Sequence, residues 1–337
     1  MADPTDRAAA RLHWARAALR EPALRLAPAS SDASFRSYWR GTRADGRSVI
    51  VMDAPPDHED IRPWLDVDRR LCAAGLAAPE VYAHDEALGF IAMQDLGEAT
   101  LLPLLDSDSV EPLYATALET LLRMQRGADA TGLPPYDDAR LIAEMELLPQ
   151  WFLQRHLGLT PSRGDRDTLE LAMQRLCASA RTQPQVFVHR DYHSRNLLRL
   201  EHGCIGIIDF QDAVRGALTY DLVSLLKDCY IAWPPRRVRD WALDYRARAV
   251  AAGLWPRTQD DTAFLRAFER MGLQRHLKVL GIFCRLYYRD GKAQYLTDLP
   301  RVYAYALDAA RADPDFAALA ALLERAAAGR DLSRPRA

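Results

Sequence analysis

Lysine, paired cysteines and long apolar runs are all scarce in this sequence of 337 residues. Only three lysines stand among 44 basic residues, and none comes before Lys227, so arginine supplies nearly all of the positive charge. The five cysteines show no C-x-x-C spacing, which argues against a zinc site or a disulfide framework and favours a reducing compartment. No stretch has the length and apolar content of a membrane span or a signal peptide. We therefore predict a cytoplasmic protein that does not enter a membrane.

The overall composition is that of an ordinary globular protein, with 49% apolar and 27% charged residues. A net charge of −2 gives no reason to expect binding to nucleic acid or to a membrane surface. The length is sufficient for a large core and is most naturally divided between two lobes. We predict a monomer whose partners are small molecules.

One stretch near the middle of the chain concentrates the polar residues that indicate chemistry. A β-rich run at 186–188 leads to Asp191, and Asn196 follows in a polar loop. Two apolar runs then flank a turn at 201–203, and the second run leads to Asp209. Buried strands with a hairpin between them predict that the three polar side chains meet at one cleft.

Three oxygen-bearing side chains of this kind suit phosphoryl transfer. A hard cation takes carboxylate and amide oxygens and keeps water and phosphate oxygens as its other ligands, while a separate carboxylate orients the attacking hydroxyl and accepts its proton. The spacing H-x-D-x-x-x-x-N, with D-F-x after a hairpin, resembles the catalytic loop and metal-binding motif of protein-kinase-like phosphotransferases. The resemblance implies ATP and Mg²⁺ as cofactors. It implies Asp191 as the base, Asn196 and Asp209 as metal ligands, and His193 where protein kinases carry a lysine that neutralises the γ-phosphate.

The N-terminal residues fit the nucleotide-binding lobe of such a fold. Two strands joined by a turn at 44–46 predict a hairpin that covers the ATP phosphates. Backbone N–H groups from Ser31 to Ser34 are candidates for phosphate contacts, and the predicted cofactor-binding set continues with Phe35 and Arg36. A later strand turns polar at Gln94 to Leu96, where the resemblance implies a hinge whose backbone binds the adenine edge.

The fold expected from these observations is α+β: a bilobal, protein-kinase-like fold with a small β-rich N-lobe and a larger, mainly helical C-lobe. We place the N-lobe at 1–96 and the C-lobe, with the catalytic loop and the acceptor site, at 97–337. Apolar spacing predicts the helices at 5–19, 57–75, 111–127, 140–157, 166–181, 219–226, 237–253, 261–288 and 299–329. Asp221, at the start of one of them, is suited either to capping that helix or to holding the catalytic loop, and we favour the structural role.

One departure from the kinase pattern concerns the strand that normally carries a phosphate-binding lysine paired with a helix glutamate. Here that strand ends in Val-Met-Asp-Ala-Pro-Pro, at 51–56, without a lysine. Either an arginine at position 36, 40 or 47 supplies the charge, which its guanidinium is chemically competent to do, or the phosphates rely on the metal and the backbone. In the 57–75 helix, Glu59 or an aspartate is the candidate ion-pair partner.

Three stretches carry a closer resemblance, to the aminoglycoside phosphotransferase family. They are ASFRSYWR with VMDAPP, VHRDYHSRNLL with DFQDAVRGALTYDLVSLLKDCYIAWPP, and LQRHLKVLGIFCRLYYRDGKAQYLTDLPR. Within that family they look most like the bacterial anomeric amino-sugar kinases of cell-wall recycling, which share the Met-Asp in place of the lysine. The resemblance implies transfer of the ATP γ-phosphate to the C1 hydroxyl of N-acetylmuramate and N-acetylglucosamine.

Candidates for sugar binding flank the catalytic stretch. Asp212, Gln211 and Tyr192 are suited to sugar hydroxyls, although the first two are equally suited to orienting the metal loop. Binding of a lactyl carboxylate would require a cation, and the candidates are Arg275, Arg215 and His276. The simpler interpretation of Arg275 and His276 is that they lie on the surface of a helix.

Two other functions stay open. A kinase for an aminoglycoside or choline would need a strongly acidic pocket, whereas the segment from 274 to 301 is basic. A pseudokinase that binds nucleotide without catalysis would explain the missing lysine, but the intact Asp191, Asn196 and Asp209 oppose it.

Overall fold

The computed structural model describes residues 4–31 and 35–335. Its N-terminal part contains two helices and the five strands of one sheet. In order these are α1 Pro4–Leu19, β1 Leu26–Ser31, β2 Ser37–Thr42, β3 Ser48–Asp53, α2 Arg62–Ala73, β4 Val81–Asp85 and β5 Phe90–Gln94.

The rest of the chain is mainly helical, with two short pairs of strands. The elements are α3 Val110–Gly127, α4 Asp138–Met145, α5 Arg163–Arg181, β6 Gln185–Val188, β7 Leu197–Arg199, β8 Ile205–Ile207, β9 Val214–Ala217, α6 Thr219–Leu226, α7 Pro235–Ala251, α8 Asp261–Tyr288, α9 Leu299–Ala312 and α10 Ala317–Ala327. A π-helical segment covers Leu148–His156, and short 3₁₀ helices lie between the longer elements.

Contacts divide the chain into two compact units. The first unit contains residues 1–117 and 195–212, and the second contains 118–194 and 213–337. The strand pair β7–β8, which follows the catalytic loop, therefore groups with the N-terminal sheet, and so does the start of α3. The lobe boundary expected at 96/97 stays a prediction.

The first unit is built on a five-stranded antiparallel sheet in the order β1-β2-β3-β5-β4. The predicted hairpin is present as β2 and β3, and its turn closes at Gly46 with a φ of 84°, a conformation that glycine adopts without steric cost. Apolar residues of α1 and of the sheet share one core, in which Ala15, Val49 and Val51 are fully buried. Burial of these side chains fixes α1 against the sheet.

The second unit is arranged around α8, whose residues 271–281 are all buried. That helix packs against α6, α9, α5 and the π-helical segment. At Gly281 an added Cβ would lie 2.4 Å from the backbone oxygen of Leu147, so only glycine permits this close approach. Strands β6 and β9 pair antiparallel at 185–188 and 214–217.

Several predicted boundaries are corrected. Helix α2 begins at Arg62, because residues 57–59 form a turn against Pro55. Pro63 lies in the first turn of the helix, where a proline is tolerated since its missing N–H would have no partner there. The helix expected at 140–157 ends at Met145 and continues, after a break, as the π-helical segment with Pro149 in its first turn. The helix expected at 299–329 is interrupted at Asp313-Pro314. Strands β1 and β9 were not predicted.

Within residues 4–31 and 35–335, no helix combines the length and hydropathy that crossing a bilayer requires.

Candidate active site

The predicted base, Asp191, follows β6 in a loop that is held by a carboxylate. Asp221, in the first turn of α6, accepts hydrogen bonds from the backbone N–H groups of His189 (2.7 Å) and Arg190 (3.0 Å). Arg190 adopts a φ of 76°, which is uncommon for a residue with a side chain and persists only where its surroundings enforce it. Of the two roles considered for Asp221, these hydrogen bonds show the one that holds the catalytic loop, since the N-cap position of α6 is occupied by Leu218 and has no side-chain cap.

The carboxylate of Asp191 is accessible, with 41% of the side chain exposed, while the cation beside it is buried. A guanidinium nitrogen of Arg275 lies 3.7 Å from Oδ1 of Asp191 and donates a 3.0 Å hydrogen bond to the carbonyl of Arg190. Burial alone would raise the pKa of Asp191, but Lys278 and Arg275 outweigh it and hold the pKa well below its usual range. Asp191 is thus ionised, as a base has to be.

Behind Asp191 lies a buried network of charges and phenols. Lys278 contacts the carboxylate of Glu144 at 3.2 Å and the hydroxyl of Tyr220 at 3.1 Å. Arg190 and Tyr136 also bond to Glu144. Although burial raises the pKa of Glu144, these cations outweigh it and lower that pKa. Sequence reasoning did not assign Glu144 or Lys278 to the site. For Lys278 the available signal was its place, with the polar residues 274–276, inside the otherwise apolar part of the predicted helix at 261–288, whereas Glu144 gives no local signal.

His193 and the residue after it are fixed by α6 and the loop that follows. The backbone N–H and the hydroxyl of Ser194 both donate to Asp228, at 2.9 and 2.5 Å. The ring of His193 meets Tyr230 edge-on at 5.4 Å. Tyr230 in turn packs against Phe283 at 6.0 Å, and Phe283 against Tyr295 at 5.1 Å. A row of aromatic rings, with Tyr230 and Tyr295 half-buried, therefore extends from the catalytic loop.

The two predicted metal ligands lie in the first unit and contact each other. The amide of Asn196 donates to Oδ2 of Asp209 at 3.2 Å, and the amide of Gln211 donates to Oδ1 at 2.9 Å. The antiparallel pair β7–β8 brings them together, with the N–H of Ile208 bonded to the carbonyl of Asn196 at 3.1 Å. Asp209 has a φ of 63°, and Phe210 turns away to pack on Trp64 at 5.0 Å.

The oxygens of this cluster fit a hard divalent cation. Besides the carboxylate of Asp209 and the amide oxygen of Asn196, Oε1 of Gln211 is buried and has no hydrogen-bond partner among the residues that the structure describes. In the same described ranges no three histidine, cysteine or acidic side chains cluster as a complete metal cage. Magnesium is typically bound by one or two carboxylates and completes its shell with water and phosphate oxygens, so a partial set is the expected one.

The candidate nucleotide-binding residues receive less support. Ser34 lies outside the described residues. Phe35 is 63% exposed and stacks on His58 at 4.3 Å, and Arg36 is half-buried. The backbone N–H of Gln94 is already bonded to the carbonyl of Glu80 at 2.8 Å. Leu96 is half-buried, with its side chain over Gly206.

The place of the missing lysine is taken by an acid that is already paired. Asp53, at the end of β3, is 4% exposed and accepts hydrogen bonds at 2.7 Å from Arg7 and from Arg11 of α1. Arg40 and Arg47, two of the three candidate phosphate-binding arginines, contact the carboxylates of Asp95 and Asp45.

On α2, the acid that faces inward is Asp68. It has no cation beside it in the described part of the chain, and burial raises its pKa to about 7. Glu59 accepts a long hydrogen bond, 3.4 Å, from the N–H of Phe35. The acid at the end of β3 is therefore paired with arginines of α1.

The candidate sugar-binding residues differ in exposure. Asp212 is exposed and Gln211 half-buried, so both are accessible, whereas Tyr192 is fully buried, which favours packing over sugar contact. Arg275 is paired with Asp191. Burial lowers the pKa of His276 to about 3, so this ring is neutral and does not attract an anion. Arg215 is exposed on β9.

Comparison with known sequences gives one family and several full-length relatives. The model of the phosphotransferase enzyme family matches residues 25–260. The N-acetylmuramate/N-acetylglucosamine kinase of Pseudomonas putida is 44% identical, over 91% of this chain and 90% of its own. The protein of the same name from Neisseria meningitidis serogroup B is 39% identical, over 92% and 93%.

Solved structures give the same fold at low identity. An aminoglycoside phosphotransferase with bound ADP aligns with a TM-score of 0.56 and 14% identity, covering 87% of this chain and 96% of its own. A choline/ethanolamine kinase family protein from Mesorhizobium loti aligns with a TM-score of 0.62 and 16% identity, covering 95% and 99%. At such identities the match concerns the fold alone.

Proposed function

The chain belongs to the phosphotransferase enzyme family, and from that premise we propose that it transfers the γ-phosphoryl group of ATP to the C1 hydroxyl of N-acetylmuramate and N-acetylglucosamine. Relatives at 39% to 44% identity over nine-tenths of the chain are named N-acetylmuramate/N-acetylglucosamine kinase. The reaction would serve recycling of cell-wall amino sugars in the cytoplasm, with Mg²⁺ as the metal. The observation that carries the proposal is the accessible, ionised Asp191 with buried cations behind it.

In this proposal Asp191 orients the C1 hydroxyl and accepts its proton as the phosphoryl group is transferred. An anomeric hydroxyl is more acidic than an ordinary alcohol, so a carboxylate of low pKa is a sufficient base. Because the transition state is loose, the main requirements are alignment and charge neutralisation. The hydrogen bonds from the loop to Asp221 meet the first requirement, since they fix the backbone on which Asp191 is carried.

Asn196 and Asp209 are the residues that would hold Mg²⁺, which neutralises the β- and γ-phosphates when bound. Gln211 donates a hydrogen bond from its amide to the carboxylate of Asp209, and its own oxygen would be available to the cation. We assign His193, two residues after the base, to the neighbourhood of the transferring group, since it occupies the lysine position of protein kinases.

For the sugar, the aromatic row next to His193 offers an apolar surface. Half-buried Tyr230 and Tyr295 are suited to packing against a pyranose face, and the exposed carboxylate of Asp212 is suited to accepting hydrogen bonds from hydroxyls. Tyr230 was not predicted from the sequence, because nothing local distinguishes it from a core tyrosine.

The test is ATP consumption with magnesium against N-acetylmuramate, N-acetylglucosamine, glucose, kanamycin and choline, with products identified by phosphorus NMR. We expect glycosyl 1-phosphates from the two N-acetylated sugars only, and a loss of about 100- to 10,000-fold in turnover for Asp191→Asn. Phosphorylation of kanamycin or choline alone would exclude N-acetylmuramate and N-acetylglucosamine as the acceptors. ATP binding without turnover on any acceptor would favour the pseudokinase.

A further inference from the structure

The residue before the base has a backbone conformation that a side chain disfavours. Arg190 has a φ of 76°, in the left-handed region, where a residue with a Cβ is strained and glycine is not. Such a conformation persists only where surrounding contacts enforce it. Because Asp191 is the next residue, the direction of its carboxylate depends on this backbone. The contacts that hold Arg190 therefore determine where the base is presented.

Three helices of the second unit hold Arg190, each through a different group. Asp221 of α6 accepts a 3.0 Å hydrogen bond from its backbone N–H, and Arg275 of α8 donates a 3.0 Å hydrogen bond to its carbonyl. Its guanidinium forms an ion pair with Glu144 of α4 and lies over the ring of Tyr136, 5.5 Å from the centroid. The first two contacts fix the peptide groups on either side of Arg190, and the third fixes the direction of its side chain.

Glu144 is itself held in one orientation, in the last turn of α4. Its Oε1 faces Arg190, while its Oε2 faces Lys278 at 3.2 Å and accepts a hydrogen bond from Tyr136. Burial opposes its charge, but Lys278 and Arg190 lower the pKa of Glu144, so it is ionised. Among the residues that the structure describes, its link to the catalytic loop is Arg190.

We propose that Glu144 is a positioning residue for the base: through Arg190 it holds the left-handed backbone that presents Asp191 to the acceptor. This role rests on the proposed function, because it requires Asp191 to act as the base. Glu144 takes no part in proton or phosphoryl transfer. Its effect on rate is one of alignment, and a misplacement of about 1 Å in a catalytic group can cost on the order of 100-fold.

The plainer role for Glu144 is that of a counter-charge for buried Lys278, and the two roles differ in what Arg190→Gly does. Glycine adopts the observed φ without steric cost, so a chain with this substitution does not need an anchor at that position. If Glu144 acts by holding a strained residue, Arg190→Gly makes its removal harmless to turnover. If Glu144 serves Lys278 alone, its removal has the same effect with or without Arg190.

The experiment measures kcat and KM with ATP and N-acetylglucosamine for wild type, Glu144→Gln, Arg190→Gly, Arg190→Ala and the double variant Glu144→Gln/Arg190→Gly. We expect Glu144→Gln to lower kcat roughly 10- to 100-fold while both KM values stay within about twofold of wild type. Arg190→Ala should lose about tenfold more in kcat than Arg190→Gly, because alanine without the anchor is driven out of the left-handed region. Asp138→Asn is the matched control, since it breaks an exposed ion pair with Arg181 on the same helix and should behave as wild type.

The deciding quantity is the effect of Glu144→Gln in the Arg190→Gly background. There it should change kcat by less than about twofold, which is the non-additivity of two groups that act as one unit. An equal loss in both backgrounds, or an Arg190→Ala protein at least as active as Arg190→Gly, would overturn the positioning role. Should Glu144→Gln fail to fold, Glu144→Asp replaces it in the same comparison, because it keeps a charge beside Lys278 and draws the carboxylate back from Arg190 by one methylene.

A failure of the proposed function would look different, because it concerns wild type and not the variants. If wild type phosphorylates neither amino sugar but does phosphorylate kanamycin or choline, the acceptor assignment falls. The same comparison is then made with that acceptor, since the role of Glu144 depends on Asp191 and not on the acceptor. Absence of turnover by wild type on every acceptor would remove the base and, with it, the positioning role.

Discussion

At the scale of single residues, Asp191 has to satisfy two opposed demands. A base must be accessible to its substrate, and the side chain of Asp191 is 41% exposed. It must also stay ionised although part of it is enclosed by protein. The chain meets both by keeping the counter-charges of Arg275 and Lys278 buried on one side. An opposite charge at this range lowers a carboxyl pKa by about 1–3 units.

That electrostatic arrangement predicts the pH dependence of Arg275→Met. Removing the guanidinium raises the pKa of Asp191, and the base is inactive below that pKa, so the acid limb of kcat/KM should move to higher pH by about one unit or more. The readout is a pH–rate profile from neutral pH down to the lowest pH at which both proteins stay folded, because the pKa of Asp191 in wild type lies well below the usual carboxyl range. Arg270→Met, on the same helix but paired with Asp313, is the control and should keep the wild-type profile. A uniform loss of rate with an unchanged acid limb would assign Arg275 a purely structural role.

Single residues also show what local sequence can and cannot predict. Asp191, Asn196 and Asp209 belong to one motif, so the sequence alone predicts them as site residues, and two of them, Asn196 and Asp209, are in contact. Glu144, Lys278 and Tyr230 come from distant parts of the chain, and only folding brings them to the catalytic loop. The assignment of His276 as a possible anion-binding cation is disfavoured because burial, which a sequence does not reveal, keeps its ring neutral.

At the scale of elements, the distinctive feature is the attachment of α1 to the end of β3. Asp53 ends the strand where the kinase pattern has a lysine, and two arginines one helical turn apart on α1 contact its carboxylate. Arg11 also lies over the ring of Trp39 at 3.6 Å. The acid at this position therefore has a structural role, because its ion pairs with Arg7 and Arg11 attach the N-terminal helix to the sheet.

This attachment predicts that Arg11→Leu destabilises the protein by about 2–4 kcal/mol, because a buried carboxylate loses one of its two cations. The double variant Arg11→Leu/Asp53→Leu should regain much of that loss, since no uncompensated charge stays buried. Urea denaturation of the four proteins of this cycle measures both quantities. Exposed Arg47→Leu, which breaks a turn ion pair with Asp45, should cost less than about 1 kcal/mol. A double variant that is less stable than Arg11→Leu would contradict this explanation.

Elements with strong periodicity were predicted well, and those that depend on tertiary contacts were not. The helix predicted at 261–288 coincides with α8, and the hairpin around 201–203 with β7–β8. In contrast, β9 was missed because Val214–Ala217 is too short to show a period and becomes a strand only by pairing with β6. The break at Asp313-Pro314 was missed because apolar spacing resumes beyond the proline.

At the scale of the whole molecule, the fold predicted from the catalytic motif is confirmed by solved kinases that align over most of the chain. The chain leaves the first unit after residue 117 and returns to it at 195–212. That return assigns the proposed metal ligands to the first unit and the base to the second. Binding of the nucleotide and deprotonation of the acceptor are therefore open to separate tests.

The last prediction uses this separation. Saturating Mg²⁺ with ATP, at about 100 times its Kd, should stabilise wild type against unfolding by about 2.7 kcal/mol, through binding to the folded state alone. Asp209→Asn should lose the part of that stabilisation that depends on magnesium, so that its thermal midpoint with Mg²⁺ and ATP equals the midpoint with ATP and EDTA. Asp191→Asn should retain the full shift while lacking turnover, and Asp45→Asn, an exposed turn residue of the first unit, should behave as wild type. An equal loss of the magnesium-dependent shift in Asp191→Asn and Asp209→Asn would contradict the proposed roles. It would mean that both carboxylates take part in binding the metal, and Asp191 could not be assigned to the acceptor alone.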